Sequence, residues 1–221
     1  MAGRNPALQY WASLLALCAN DKHQMTNDKL FEVYLNELLE WNKKFNLTAI
    51  KDPEQIKVRH FEDSLSILQA VELKNQKVID IGTGAGFPGI PLKIIKPGIK
   101  LTLIDATRKK TEFLRHIVEI LKLSDVEIVW GRAEEVSKKH EYFEKYDVVL
   151  ARAVAKLDEL IPYCAPFLKS GGIFIAQKQD DVADEIKNAK NALKKYSCRI
   201  LDIKKVAVGD ATRSLVIIQK I

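Results

Sequence analysis

The run Val78–Ile90, "VIDIGTGAGFPGI", constrains this chain more than any other stretch. A β-branched segment carrying Asp80 leads into Gly82, Gly84 and Gly86, and Pro88 and Pro91 follow. A strand, a glycine turn and the opening of a helix form a ligand-binding βα unit, in which glycine lets main chain approach a ligand closely. The spacing is G-x-G-x-G. Phe87 stands where the dinucleotide fingerprint G-x-G-x-x-G requires its third glycine, and no Gly-Lys-Ser/Thr follows, which excludes a Walker loop. Pro88 and Pro91 suit a first helical turn, where N–H groups have no intrahelical partner. Pro88 also removes a donor that a pyrophosphate would use at a helix start. The loop is built for close approach to something other than a diphosphate.

Around this unit the pattern is α/β. "KVIDI", "KLTLID", "VEIVW", "YDVVLA" and "GGIFIAQ" read as five strands buried on both faces. They alternate with the helical segments "PGIPLKII", "RKKTEFLRHIVEILKL", "AEEVSKKHEYF" and "KLDELIPYCAPFL", which argues for a parallel sheet covered by helices. "CRILDIKKVAV", "GDAT" and "RSLVIIQKI" then read as a hairpin, making the last of seven strands antiparallel to its neighbour. A doubly wound sheet of this kind takes its ligand at the carboxyl ends of the strands, at the switch point.

Residues 75–221 form this Rossmann-like domain. Residues 1–74 read as a helical amino-terminal extension, with a stripe at Leu30, Phe31, Tyr34, Leu35, Leu38, Leu39 and Trp41 and a second helix starting at Pro53. Within the extension, "ALQYWASLLALCAN" is shorter than the roughly 20 residues that span a bilayer and reads as an amphipathic helix. Cys18, Cys164 and Cys198 form no C-x-x-C pair. A reducing, cytoplasmic setting without a membrane anchor or metal site is therefore expected.

Asp105 closes the second strand, 19 positions after Gly86. A carboxylate there can accept both hydroxyls of a ribose. Asp80 either fixes the loop or meets an ammonium group, and both aspartates are also good capping residues. A ribose site without a pyrophosphate site points to S-adenosylmethionine, an adenosyl group carrying an amino acid. At the end of the third strand, Ala133 and Glu134 would lie beside the adenine; "AEEV" is equally an ordinary acidic first turn.

The segments "WNKKFNLTAI", "RHFEDSL", "DIGTGAGFPGIPLKI", "ARAVAKL" and "RSLVIIQK" together resemble the bacterial 16S ribosomal RNA guanine-N7 methyltransferase family, also called glucose-inhibited division protein B. The resemblance covers about Asp28 to Ile221. It implies a class I S-adenosylmethionine-dependent methyltransferase fold acting on a guanine of 16S rRNA, as naked RNA or in a 30S particle. Carried over by motif, cofactor contacts fall on Gly82, Thr83, Gly84, Gly86 and Phe87, on Asp105, Ala106 and Thr107, on Ala133 with Glu134, and on Arg152. The chain departs from the family at Lys178-Gln179, where Lys-Gly is usual, and in "ARAVAKL", where the family is richer in Ser and Phe.

Guanine N7 carries a lone pair and no proton, so its methylation needs alignment rather than a general base. In keeping with this, no Asn/Asp-Pro-Pro-aromatic motif follows the fourth strand, where "ARAVA" stands. Arg152 is expected to position cofactor, phosphate or O6, since a bidentate grip on O6 and N7 would block the nucleophile. His60 is expected to be structural, and Asn46 and Asp63 to tie the extension to the strand ends. The chain carries a net charge of +6, and positive charge clusters at Arg108, Lys109, Lys110 and Arg115, at Lys43, Lys44 and Lys51, and at Lys204 with Lys205; together these clusters fit phosphate contacts. A monomer is expected. Methylation of another RNA or a small molecule, and RNA binding without catalysis, remain the rival readings.

Overall fold

The computed structural model describes residues 26–152 and 155–221. The apolar stretch at 7–20, with Cys18, and positions 153 and 154 of "ARAVAKL" lie outside the described residues. Helix α1 (Asn27–Phe45) carries Asp28 in its first turn and Lys43 and Lys44 in its last, charges that suit the helix dipole at both ends. Asn46 stops it in the left-handed region at φ 49°. Its buried stripe is Phe31, Tyr34, Leu35 and Leu38, as the spacing predicts.

The next helical stretch, α2, is unevenly wound. It is α-helical over Pro53–Ile56, π-helical over Lys57–Glu62, α-helical again over Asp63–Leu65 and 3-10 over Ser66–Gln69. Asp52 caps it by accepting the N–H of Gln55. The π turn, a geometry often found at functional sites, carries Arg59 and His60.

The alternating region follows as β1 (Lys77–Ile81), α3 (Gly89–Ile95), β2 (Lys100–Asp105), α4 (Arg108–Ile120), β3 (Val126–Trp130), α5 (Ala133–Val136), β4 (Tyr146–Arg152), α6 (Leu157–Cys164), β5 (Leu168–Gln179) and α7 (Ala183–Lys195). The hairpin β6 (Cys198–Val208) and β7 (Ala211–Lys220) ends the chain. The seven strands lie in the order β3-β2-β1-β4-β5-β7-β6. The first five are parallel, and β7 is antiparallel to both β5 and β6.

Alternate strand residues feed two cores. Val78, Leu101, Leu103, Leu150, Ile175 and Leu215 pack with α1 to α4. Ile79, Ile104, Val149, Phe174 and Val216 pack with α5 to α7. Covering both faces explains why the central strands read as unbroken apolar runs. The order reverses between β1 and β4, so the crevice at their carboxyl ends lies over the glycine loop.

Two expectations need correction. β3 is not buried on both faces: it pairs only with β2 at the sheet edge, and Val129 is its one buried residue. The helix expected over 133–143 is the single turn α5; beyond it, Lys139 and Tyr142 donate N–H groups three residues back, which makes tight turns. Cys164 and Cys198 are free and buried, and burial raises both thiol pKa values, which disfavours the reactive thiolate. Among the described residues no helix is long and apolar enough to cross a membrane, and no group of three His, Cys, Asp or Glu residues is placed to hold a metal.

Candidate active site

The loop between β1 and α3 hangs from Asp80. Its Oδ2 accepts from Thr83 Oγ1 at 2.6 Å and from the Gly89 N–H at 2.8 Å, pinning both ends of the turn. Thr83 ties the loop to β2 by donating its N–H to the Ile104 carbonyl at 3.1 Å, and its own carbonyl accepts from Gly86 and Phe87. Asp80 is fully buried, and its Oδ1 has no partner within the protein. Burial raises its carboxyl pKa to about 6, against the opposing pull of the Thr83 and Gly89 bonds and the Arg152 charge.

Gly82, Gly84 and Gly86 all have positive φ, at 67°, 64° and 102°. Their surroundings separate them. A Cβ on Gly84 would meet nothing within 4 Å, so this is the point where main chain is open to a ligand. A Cβ on Gly86 would lie 2.5 Å from Ile90 Cδ1 and 2.6 Å from Tyr34 Oη. The missing side chain of Gly86 is therefore explained by α1, whose Tyr34 hydroxyl donates to the Ala85 carbonyl.

Asp105, at the end of β2, is held between the glycine loop and the start of α4. Its Oδ2 accepts from the Gly84 N–H at 2.9 Å, and its Oδ1 accepts from the N–H of Thr107, the residue capping α4, at 2.8 Å. Each oxygen keeps a lone pair, so the carboxylate is held in place yet can accept more. The Ala106 carbonyl accepts from Trp130 Nε1 at 3.0 Å. Ala133 and Glu134 open α5 on the same rim; the Glu134 side chain is 47% exposed and lies 4.0 Å from Arg132.

The other wall comes from the helices. The Phe87 ring is buried, stacked on His60 at 4.5 Å and on Tyr34 at 5.4 Å, with the Arg152 guanidinium 5.2 Å from its centroid. Arg152 ends β4 with its side chain only 12% exposed, so it is no surface arginine. It donates to the Arg59 carbonyl and to Asp63 Oδ2, both at 3.3 Å, and to His60 Nδ1 at 3.2 Å. Asp63 Oδ1 accepts from Gln177 Nε2 at 3.0 Å and Arg213 Nε at 3.1 Å. One carboxylate thus joins α2 to the ends of β4, β5 and β7.

Because Arg152 can only donate, His60 Nδ1 must accept, and Nε2–H then donates to Thr48 Oγ1 at 2.7 Å. Burial, and next the Arg152 charge, lower the His60 pKa to about 4, so the ring is neutral and both its nitrogens are engaged. Of the two residues expected to tie the extension to the strand ends, Asp63 does so, whereas Asn46 ends α1 and the clamp beside it, within the extension, is made by Asn42. The Asn42 side chain accepts the Thr48 N–H at 2.9 Å and donates to the Thr48 carbonyl at 3.0 Å, while Asn46 supplies the helix stop.

Two of the three basic clusters converge. Trp41 packs on Phe113 and His116, and Lys109 Nζ lies 5.5 Å from the Phe45 ring centroid, which brings the basic ends of α1 and α4 together. Lys204 and Lys205 sit on β6 at the opposite sheet edge; Lys205 pairs with Asp180 at 2.7 Å and Lys204 donates to the Gln69 carbonyl. Tyr34, Gln177 and Arg213 were not legible as site-building residues, except that Gln177 is a polar residue in an apolar run.

The family model for GidB, the rRNA small subunit methyltransferase G, matches residues 27–216. A ribosomal RNA small subunit methyltransferase G from Alkaliphilus metalliredigens is 48% identical over 191 residues, 85% of this chain and 80% of that protein. One of the same name from Caldanaerobacter subterraneus is 44% identical over 201 residues, 90% of this chain and 84% of that protein. Among solved structures, M. jannaschii TYW2 in complex with AdoMet aligns with a TM-score of 0.56 at 19% identity, covering 72% of this chain and 75% of that one. A ribosomal protein L11 methylase from Lactobacillus delbrueckii aligns at 0.55 and 19%, covering 72% and 77%. At such identities these two structures speak for the fold alone.

Proposed function

The chain belongs to the GidB family, the small-subunit rRNA methyltransferases G, and we propose that it transfers a methyl group from S-adenosylmethionine to N7 of one guanine in 16S rRNA. It does so as a cytoplasmic monomer, with residues 75–221 as the methyltransferase domain and 1–74 as its helical extension. The observation that carries this reading is the crevice over Gly84. Its floor is open main chain, Asp105 is fixed at one side with lone pairs to spare, and a buried Asp80 oxygen without a partner stands behind it.

This donor set fits an adenosyl amino acid. Asp105, with Ala106 and Thr107, would take the ribose. Ala133 and Glu134 would take the adenine edge. Gly82, Thr83, Gly84, Gly86 and Phe87 would present main chain to the amino-acid portion, and Asp80 would balance its ammonium charge. When bound, S-adenosylmethionine supplies a methyl group activated by a sulfonium leaving group.

The protein's own share is alignment, which is worth roughly 7–11 kcal/mol in well-oriented reactions. N7 has no proton to lose, in keeping with a His60 that is neutral and already bonded at both nitrogens. For Arg152 the hydrogen bonds favour the positioning half of what was expected of it. Its terminal nitrogens are engaged by Asp63, His60 and the Arg59 carbonyl, which ties most of its donors to α2 rather than to the crevice. We read it as a positioning residue that holds Phe87, and hence the glycine loop, against α2. The merged basic face favours an RNA acceptor over a small molecule.

The test is to incubate the protein with methyl-labelled S-adenosylmethionine and unmodified 16S rRNA or 30S particles, then map N7-methylguanine by borohydride–aniline cleavage. Label at one cleavable guanine is expected. Label on an exocyclic amine, or none with the cofactor bound, would overturn the reading.

A further inference from the structure

We infer that Trp130, with Arg108 beside it, is a stacking platform for an unpaired base of the RNA substrate, outside the crevice where methyl transfer occurs. The inference rests on the reading of the chain as an rRNA methyltransferase, and it assigns one part of the surface to that substrate. Trp130 ends β3 and is 58% exposed, although its indole is among the largest apolar groups the fold could have buried. It is nonetheless held in one orientation. Its Nε1–H donates to the Ala106 carbonyl, and the Arg108 guanidinium carbon lies 5.9 Å from the ring centroid. An exposed aromatic fixed in place offers its face at little entropic cost.

The surroundings select the partner. Arg108 is 73% exposed, and Lys109 follows it on α4, which brings the platform up to the basic face shared with Lys43 and Lys44 of α1. On this face Glu40 and Glu112 are already paired, with Lys43 and Arg108 respectively. A flat aromatic beside guanidinium and ammonium groups matches a nucleotide: the base stacks on the indole and its flanking phosphates meet the cations. The location fits a neighbour of the reacting guanine rather than the guanine itself, because Trp130 is the register partner of Asp105 across β2 and β3 and lies on the outer side of the crevice.

The test compares the full-length protein with Trp130→Ala and Trp130→Phe. Affinity for a 16S rRNA transcript is measured by filter binding, S-adenosylmethionine affinity by calorimetry, and kcat at saturating RNA. Trp130→Ala should weaken RNA binding about five-fold or more, the range seen when a base-stacking aromatic is truncated. Trp130→Phe keeps a ring face while losing the bond to Ala106, and should stay within about two-fold of the parent. Cofactor affinity and kcat should not change in either.

Unchanged RNA affinity in Trp130→Ala would overturn the inference. So would an equal loss of cofactor affinity in both variants, which would reduce Trp130 to a prop for Ala106. If RNA affinity depends on Trp130 but no methyl group reaches the RNA, the functional reading fails and the platform stands.

Discussion

Two glycines in the same loop should fail in opposite ways when given one methyl group. In Gly86→Ala the new Cβ would sit 2.5 Å from Ile90 Cδ1 and 2.6 Å from Tyr34 Oη, at a φ of 102°. The backbone conformation alone costs about 1–3 kcal/mol for a side-chain-bearing residue. Overpacking costs a further ~1–3 kcal/mol. Pushing the Tyr34 hydroxyl off the Ala85 carbonyl would strand a buried donor, at ~1–3 kcal/mol. Relaxation shared among these terms leaves a net loss of about 3–5 kcal/mol, a large part of the ~5–15 kcal/mol that holds a domain folded.

Gly84→Ala meets no atom within 4 Å, so only the left-handed conformation is penalised, by about 1–2 kcal/mol. Its methyl group, however, enters the crevice. Urea denaturation should separate the two variants by stability, and calorimetry at a temperature where both are folded should show the larger loss of S-adenosylmethionine affinity in Gly84→Ala. A Gly86→Ala protein as stable as the parent, or a Gly84→Ala protein with undiminished cofactor affinity, would refute the division of labour argued for this loop.

Asp63→Ala should cost about 3–5 kcal/mol in chemical denaturation, because it strips Arg152 and Arg213 of a shared buried counter-ion; a loss under about 1 kcal/mol would contradict the tether. The pH dependence of stability holds a concealed pair. His60, lowered from 6.5 to about 4, contributes stability that is present above 6.5 and lost as pH falls toward 4. Asp80, raised from 3.8 to about 6, contributes stability that is present below 3.8 and lost as pH rises through 6. Between pH 4 and 6 the two slopes oppose and largely cancel. Asp80→Asn should therefore expose a rise in stability with pH of up to about 1.4 kcal/mol per unit, and His60→Gln the mirror-image fall, by urea denaturation across the window. For RNA binding, Lys109→Ala should flatten the log–log salt dependence by about 0.7–0.9, while Lys205→Ala, paired with Asp180 at the far edge, should leave it unchanged.

The central strands were legible because both their faces are buried, which gives apolar runs such as those ending at Ile81 and Asp105, and the Gly-Asp turn between β6 and β7 needs only local rules. The glycine loop was legible as an open turn, and only the fold showed that Gly86 makes room for Tyr34, 51 positions before its hydrogen-bond partner Ala85. Asp63 pairs with Arg213 across 150 positions, a contact created by β7 inserting beside β5, which no local pattern encodes. Asn42 and Asn46 flank the same helix end, and which becomes the clamp depends on where α1 stops. Lys204 and Lys205 looked like the other basic clusters because sequence spacing does not say which sheet edge a strand will occupy.

The most direct measurement is a crystal structure of the protein with bound S-adenosylmethionine. The account predicts the ribose on Asp105, the amino-acid portion over Gly84 and the ammonium group facing Asp80, with Arg152 still on Asp63. Cofactor density away from the Gly84 crevice, or an adenosyl group that leaves Asp105 untouched, would contradict it.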